Sequence, residues 1–579
     1  MSGLRTPQLG PIVGHTSAST ATLWIRAGTT DDHQAQLAND RRTLGLIAVL
    51  AANGVPFAEP AVYYFRLRRE YDRTGIFVLG SDGGIQNGNV FALQPDTLYT
   101  VRSATLTLDD PWSNDADVAD PILAQRLPPA AVWLDAIKQL PSGESEASFR
   151  TFPAANALSH PHTLPQAPPQ TSTPQPFAFL LGSCRYPGIL WRGIKHSDQV
   201  FAAMEQQVRA DAVNPARLVL MVGDQIYADK FNCNLPIGCA ESFEEFQQRY
   251  HDAFGSRHMR SLMQRVPHYM ILDDHEIEDN WSQDRYDTER RLYTNAMQAY
   301  SSYQWVHSPR NFGERLYYSF DCGGFPFFVL DARTQRFMGS AGAPLDRHDT
   351  LADNHMLGRP SAAEFSQLSQ LLLWLYQQDR NVPKFIVSSS VFVPNPMDVR
   401  SGKNPSVKAL EECDSWPAFP ETRKALLQCI VENKIQNVVF LSGDIHCSNV
   451  ASLHFVDNQG VDLGITAFSI TSSALYWPFC FAAGDPAGYV HDSRDTAQFD
   501  PFVTEQFTMH YEAFNFTQQD NFCRVEVDSI KKCLRVSAYD YSGNLIEEEK
   551  PGTGWNPLKP WNTSSVKLPI TTELPFFSW

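Results

Sequence analysis

Residues 219–229 read VLMVGDQIYAD: four apolar residues, a glycine, an aspartate, and a tyrosine three places further on. Such a run suits a short strand buried on both faces, and it stops abruptly at a carboxylate. Taken alone, Asp224 and Tyr227 read as a turn that caps a strand. The same grammar recurs, however, in FAFLLGSC (177–184), HYMILDDHE (268–276), FPFFVLDAR (325–333), KFIVSSS (384–390) and NVVFLSGDIH (437–446). Helical stretches lie between these runs. In SAAEFSQLSQLLLWLYQQ (361–378), Phe365, Leu368, Leu372 and Leu375 fall at helical spacing, and Ser361 with Glu364 suits a capping box. Alternating strand and helix predicts a layered α/β domain.

Before residue 155 the pattern is different. ATLWIRA (21–27), PAVYYFRLRR (60–69), LQPDTLYTVRSATLTL (93–108) and ASFRTFP (147–153) are short strand-like pieces between turn residues, which predicts an all-β sandwich over 1–155. The stretch 156–176 is rich in Pro, Ser, Thr and Gln and reads as a linker. The α/β domain then runs over 177–546, with FCRVEVDSIKKCLRVSAYDYSGNLI (522–546) as a β-hairpin near its end. The Pro- and Trp-rich tail 547–579 is expected on the surface or near a cleft.

The 579 residues carry 47 basic and 64 acidic side chains, a net charge of −17. That argues against a nucleic-acid or anionic-membrane surface, which needs a basic face. The longest apolar stretch, LGLIAVLAANGV (44–55), is too short to cross ~30 Å of hydrocarbon, so no membrane span is expected. The N-terminus lacks the apolar segment of a secretory signal, which makes the expected location cytoplasmic unless a leader has been cleaved. The ten cysteines contain no C-x-x-C pair and read as reduced core residues, with Cys233 and Cys239 able to pair if the protein is exported.

Four of the six α/β strands end in chemically capable groups: Cys184–Arg185, Asp224–Tyr227, Asp274–His275 with Asn280, and Asp444–His446. Ligands bind at such strand ends in open α/β sheets. A thiolate, a phenolate, an imidazole and a shared carboxylate favour a hard, charged transition metal such as ferric iron. A carboxylate and amide face suits calcium, magnesium or manganese.

The strings GD-x-x-Y (223–227), DHE (274–276) and GDIH (443–446) resemble the calcineurin-like metallophosphoesterase superfamily. GSCR (182–185), DDHEIEDNW (273–281), LDARTQR (330–336), MLGRPSAAEF (356–365) and DSWPAFPETR (414–423) narrow the resemblance to the PhoD-like alkaline phosphatases. The opening GPIVGHTSASTATLWIRA resembles that family's N-terminal immunoglobulin/fibronectin-like domain. The resemblance implies a layered metallophosphoesterase β-sandwich core flanked by helices. It also implies a dinuclear centre in which Asp224 bridges Fe3+ and a second cation. Tyr227, Cys184 and His446 would complete the iron site. Asp444 and an oxygen from DDHEIEDN would complete the second, with Asp274 and Asn280 both open as that last ligand. Calcium is the expected second ion, and Ser388, Ser389 and Ser390, where the superfamily places a histidine, favour an oxygen-loving ion such as Ca2+, Mg2+ or Mn2+ over Zn2+.

The implied reaction is hydrolysis of small phosphoesters, monoesters and diesters, by a hydroxide between two cations. His275 is the expected proton donor or transition-state stabiliser, Arg185 the partner of the phosphoryl oxygens, and Arg333 a second substrate clamp. Two rival readings stand beside this one. A dedicated phosphodiesterase of phospholipase D type would share the same ligands. A non-catalytic binding protein with a vestigial core would be expected to have lost at least one of Asp224, Asp444 or His446.

Overall fold

The computed structural model describes residues 3–28, 43–107, 118–154, 177–188, 194–209, 214–230, 238–338, 351, 366–395, 414–478, 502–546 and 572–577. The linker 156–176, the MLGRPSAAEF segment, the Ser361–Glu364 cap, Cys233 and tail residues 547–571 therefore lie outside the described residues.

All six apolar runs form strands, and they divide between two sheets, the layered sandwich that the resemblance implies. Phe177–Gly182, Val219–Met221 and His268–Met270 are parallel neighbours in a six-stranded sheet, which Asn521–Asp528, Cys533–Asp540 and Thr572–Pro575 extend in antiparallel fashion. Phe325–Val329, Lys384–Val387, Val438–Ser442 and Ala467–Thr471 run parallel within an eight-stranded sheet. The two sheets face each other across a core that includes Phe179, Leu181, Phe327, Phe385, Leu441 and Val525. Phe327 and Phe385 stack at 4.5 Å, and Phe179 meets Phe385 edge-on at 5.3 Å.

Neighbouring residues on these strands point the other way, into helices. Leu180, Val219 and Met270 pack with residues of Ile194–Val208, Phe243–Phe254, Arg257–Met263 and Arg290–Tyr303. Phe328, Ile386 and Phe440 pack under Gln367–Gln377 and Pro420–Glu432. The architecture is helix, sheet, sheet, helix, and it accounts for strands without polar alternation. The helix 367–377 starts at Ser366, whose hydroxyl accepts from the Ser369 N–H at 3.1 Å.

The N-terminal region is all-β, as its turn-bounded pieces predict. A five-stranded sheet, which includes Thr43–Ala52, Val55–Arg66 and Leu98–Thr107, packs on a three-stranded one of Leu9–Thr16, Ala21–Arg26 and Thr74–Leu79. The apolar stretch 44–55 is the start of a hairpin. Asn53 and Gly54 both have positive φ, 48° and 77°, which is the Asn-Gly signature of a tight hairpin turn. Among the described residues no helix is long and apolar enough to cross a membrane.

The tail is not merely draped. Thr572–Pro575 is an edge strand of the six-stranded sheet, Phe576 enters the inter-sheet core, and Phe577 exchanges two backbone hydrogen bonds with the Asn437 side chain of 2.8 and 2.9 Å.

The all-β region docks on the helical layer of the core through apolar contacts of Leu9, Ile12 and Trp24, through Arg260 donating to the Pro7 and Gly10 carbonyls, and through a buried carboxylate. Asp72 accepts from Arg26 Nε at 2.7 Å and Nη2 at 2.8 Å, lies 3.0 Å from His251 Nε2, and accepts from the Tyr303 hydroxyl. Burial opposes its ionisation, but these donors together hold its carboxyl well below the usual range. A group with a depressed folded pKa adds stability above its unfolded value, about 3.9, and loses that contribution as pH falls toward the folded value. Asp72→Ala is expected to cost about 3–5 kcal/mol at neutral pH, because it strands Arg26 in the interior. In thermal melts the gap from the parent protein narrows as pH falls below about 4; a gap independent of pH would show that the carboxylate charge is not what matters.

Candidate metal centre

The strand ends of both sheets meet at one edge. Cys184 follows Phe177–Gly182, Asp224 follows Val219–Met221, Asp274 follows His268–Met270, and Asp444 follows Val438–Ser442. The backbones there are too close for side chains at two glycines. A Cβ on Gly223 would sit 2.5 Å from Asp273 Cβ, and one on Gly443 would sit 2.2 Å from Ser183 Oγ. Those are the glycines of the two G-D pairs, and their absence of a side chain is what allows the two aspartates to converge.

Five of the predicted ligands are held in the left-handed region: Cys184 (φ 58°), Asp224 (56°), Asn280 (55°), Asp444 (72°) and His446 (51°). Non-glycine residues pay of order 1 kcal/mol or more to stay there, and such strain gathers at working sites. Nothing in a linear reading of the sequence announces it.

Among the described residues four overlapping groups of ligand atoms result, each with its atoms within 4.8 Å of one another: Cys184, Asp224 and His446; Asp224, Asp274 and His275; Asp229, His275 and Asp279; Asp273, Asp274 and Asp444. Asp224 thus belongs to two groups. The Tyr227 hydroxyl donates to Asp224 Oδ2 at 3.2 Å and lies 3.4 Å from His446 Nε2, which puts the phenol beside the first group. Asn280 is exposed, and it meets the cluster through its backbone N–H, which donates to Asp274 Oδ2 at 2.6 Å.

The electrostatics of this cluster call for added positive charge. Asp224 Oδ1, Asp273 Oδ2 and Asp274 Oδ1 are buried without a hydrogen-bond partner. Burial, then the neighbouring anions, push the Asp224 and Asp444 carboxyls well above the usual range. Burial pushes Asp273 up to about 6 and the Cys184 thiol up to about 12, and it raises the Tyr227 phenol well above its ordinary value. Each of these groups is a metal ligand only when ionised, and a cation at this point supplies what ionises it. The residues fit a metal centre.

His275 is organised differently. Its Nδ1 lies 2.8 Å from Asp229 Oδ1 and its Nε2 3.7 Å from Asp279 Oδ1. Burial pulls its pKa down, but Asp274, Asp229 and Asp279 overrule it and raise it to about 9. Asp229 ends the stretch VLMVGDQIYAD, yet its part in holding this imidazole emerges only from the fold.

The two arginines are deep. Arg185 is buried, with Nε donating to the Ser197 carbonyl at 3.3 Å and Nη2 to Ser256 Oγ at 3.4 Å, both toward the helical layer. Arg333 is fully buried beneath the carboxylates. It donates to Asp273, grips Asp414 through two bonds of 2.7 and 2.8 Å, and lies 3.5 Å from Asp274 and 3.9 Å from Asp444. Ser388, at the end of Lys384–Val387, accepts from Trp416 Nε1 at 3.1 Å.

Trp477 carried no signal in the sequence. Its ring stacks on that of His446 at 3.7 Å and 22°, and Tyr186 meets it edge-on at 5.4 Å. Glu276 is a further organiser. Its two oxygens accept the backbone N–H groups of Asp224 (3.2 Å), Gln225 (2.7 Å), Ile226 (3.4 Å) and Asp273 (2.9 Å). One carboxylate thereby ties together the two loops that carry Asp224 and Asp274.

A family model for PhoD-like phosphatases matches residues 189–532. Alkaline phosphatase D of Bacillus subtilis (strain 168) is 21% identical over 289 residues, which cover 47% of this chain and 46% of that protein, so the match spans about half of that relative's length. A solved structure of PhoD superposes with a TM-score of 0.58 at 14% identity and covers 95% of this chain and 94% of that one, a likeness of fold across both the all-β region and the α/β core.

The Glu276 geometry predicts a specific sensitivity. Glu276→Gln turns an amide N–H2 toward backbone N–H donors, and the loss expected is at least about 2 kcal/mol in urea unfolding. A midpoint equal to that of the parent protein would show that the four contacts are not what holds the turn.

Proposed function

The chain belongs to the PhoD-like phosphatase family, and on that premise we propose that it is a metal-dependent phosphoester hydrolase. We assign Fe3+ to Cys184, Asp224, Tyr227 and His446, and a second cation, Ca2+ by preference with Mg2+, Mn2+ or Zn2+ as alternatives, to Asp224, Asp274 and Asp444. The observation that carries the reading is Asp224, shared by two ligand groups with one buried oxygen left without a hydrogen bond. Asn280, exposed and bonded through its backbone, is the weaker of the two choices for the last ligand.

Two cations in such a site supply a water acidified to near neutrality and charge to set against the phosphoryl oxygens. The protein's own groups do the rest. Asp229 orients the His275 ring through Nδ1, and the imidazole is the proposed proton donor to a departing alkoxide. Arg333 braces Asp273 and Asp274 from below, and the closed Cys184–Tyr227–His446 side is walled by Trp477 and Tyr186. Small phosphomonoesters and phosphodiesters are the proposed substrates.

The first test is a visible spectrum with metal analysis on the same sample. A broad phenolate-to-iron band, absent in Tyr227→Phe, and about one iron per chain are expected. A protein that stays colourless after aerobic iron loading sinks the iron–phenolate assignment. Asp224→Asn is expected to lose about 10³-fold or more of the hydrolysis of an aryl phosphomonoester and of the matching diester.

A further inference from the structure

Arg336 and Asp414 belong to none of the ligand groups above, yet they adjoin them. LDARTQR (330–336) leaves the strand Phe325–Val329 in a tight turn, where the Asp331 carboxylate accepts from the Thr334 N–H at 3.0 Å. That turn delivers Arg333 and Arg336 to the same partner. Arg333 holds Asp414 with two bonds of 2.7 and 2.8 Å, and Arg336 donates to the same carboxylate from Nη1. Arg336 stacks over the Phe419 ring at 5.0 Å, and its Nη2 is buried without a hydrogen-bond partner.

The three side chains differ in access. Arg333 and Arg336 are 0% and 2% exposed, whereas Asp414 is 24% exposed. Asp414 can turn into water without a large desolvation cost; the guanidinia have nowhere to go. Its departure would leave a fork of two buried cations beside Asp274 and Asp444, and planar guanidinium forks match phosphoryl oxygens as well as they match a carboxylate. The unpartnered Nη2 of Arg336 is a donor that the carboxylate does not use.

We propose that Arg333 and Arg336 form an oxyanion subsite for a phosphoryl dianion, and that Asp414 is its resident occupant, displaced when that ligand enters. The subsite deepens the phosphoester reading and rests on it for its substrate. It also explains how an acidic centre accepts an anion: the entering charge replaces a carboxylate instead of adding to the carboxylates.

The test is calorimetric titration of the metal-loaded full chain with inorganic phosphate, beside the kinetics of an aryl phosphomonoester. Asp414→Asn removes the competitor and is expected to bind phosphate about tenfold more tightly, with a matching fall in KM. Arg336→Met is expected to bind it at least tenfold more weakly. Loosened packing would weaken binding in both variants, so the opposite signs separate the subsite from a structural role. Asp414→Ser provides a second neutral replacement if the asparagine variant does not fold. Equal or weaker phosphate binding by the neutral variants overturns the proposal, even where the parent enzyme hydrolyses phosphoesters. Opposite shifts in a protein that hydrolyses no phosphoester support the subsite and reject the hydrolase reading.

Discussion

Much of this structure is arranged around buried negative charge that the chain does not neutralise. Asp273, Asp274, Asp414 and Asp444 share the guanidinium of Arg333, and Asp224 stands beside them with an unbonded oxygen. Burial raises the carboxyls of Asp224, Asp273 and Asp444, because an unpaired charge in a dry interior is costly, whereas Arg333 and His275 hold that of Asp274 below the usual range against its own burial. The folding free energy of two packed sheets is what holds them in place, in strained backbone, until cations share the load. A cluster of this kind costs folding free energy by itself and favours cations for the same reason.

The contrast with Asp72 makes the point. That carboxylate is also buried, but Arg26, His251 and Tyr303 satisfy it, and it serves to fasten the all-β region to the helical layer. Both are buried aspartates. One is saturated with donors and is structural; the other is left short of them and is available for chemistry. Glu276 lies between these cases, saturated by four backbone N–H groups and committed to the position of Asp224 rather than to a ligand.

The cluster is lopsided in its donor chemistry. On one side a buried thiol and phenol and a half-buried imidazole lie against Tyr186 and Trp477. On the other, carboxylates face an arginine. Soft or anionic donors in a dry wall and oxygen donors in a charged one present different affinities within one cluster.

The sequence alone determined the strands, the helical layers, the all-β start and the loops that bear the site. Strands buried on both faces leave unbroken apolar runs, and each run stops where polar residues begin, so Cys184, Asp224, Asp274 and Asp444 were legible as strand-end groups. The Asn53–Gly54 hairpin was equally legible but hidden within an apolar stretch that invites a different reading. The apolar runs by themselves do not say that the six strands divide between two sheets, since a run buried on both faces looks the same in either arrangement; the family resemblance implied that sandwich, and the tertiary structure decided which strands fall in which sheet. It also decided which strand ends meet, and with them the parts of Asp229, Glu276, Asp414, Arg336 and Trp477. Those residues come from separate segments, and their chemistry depends on distances of a few ångströms that no linear spacing encodes.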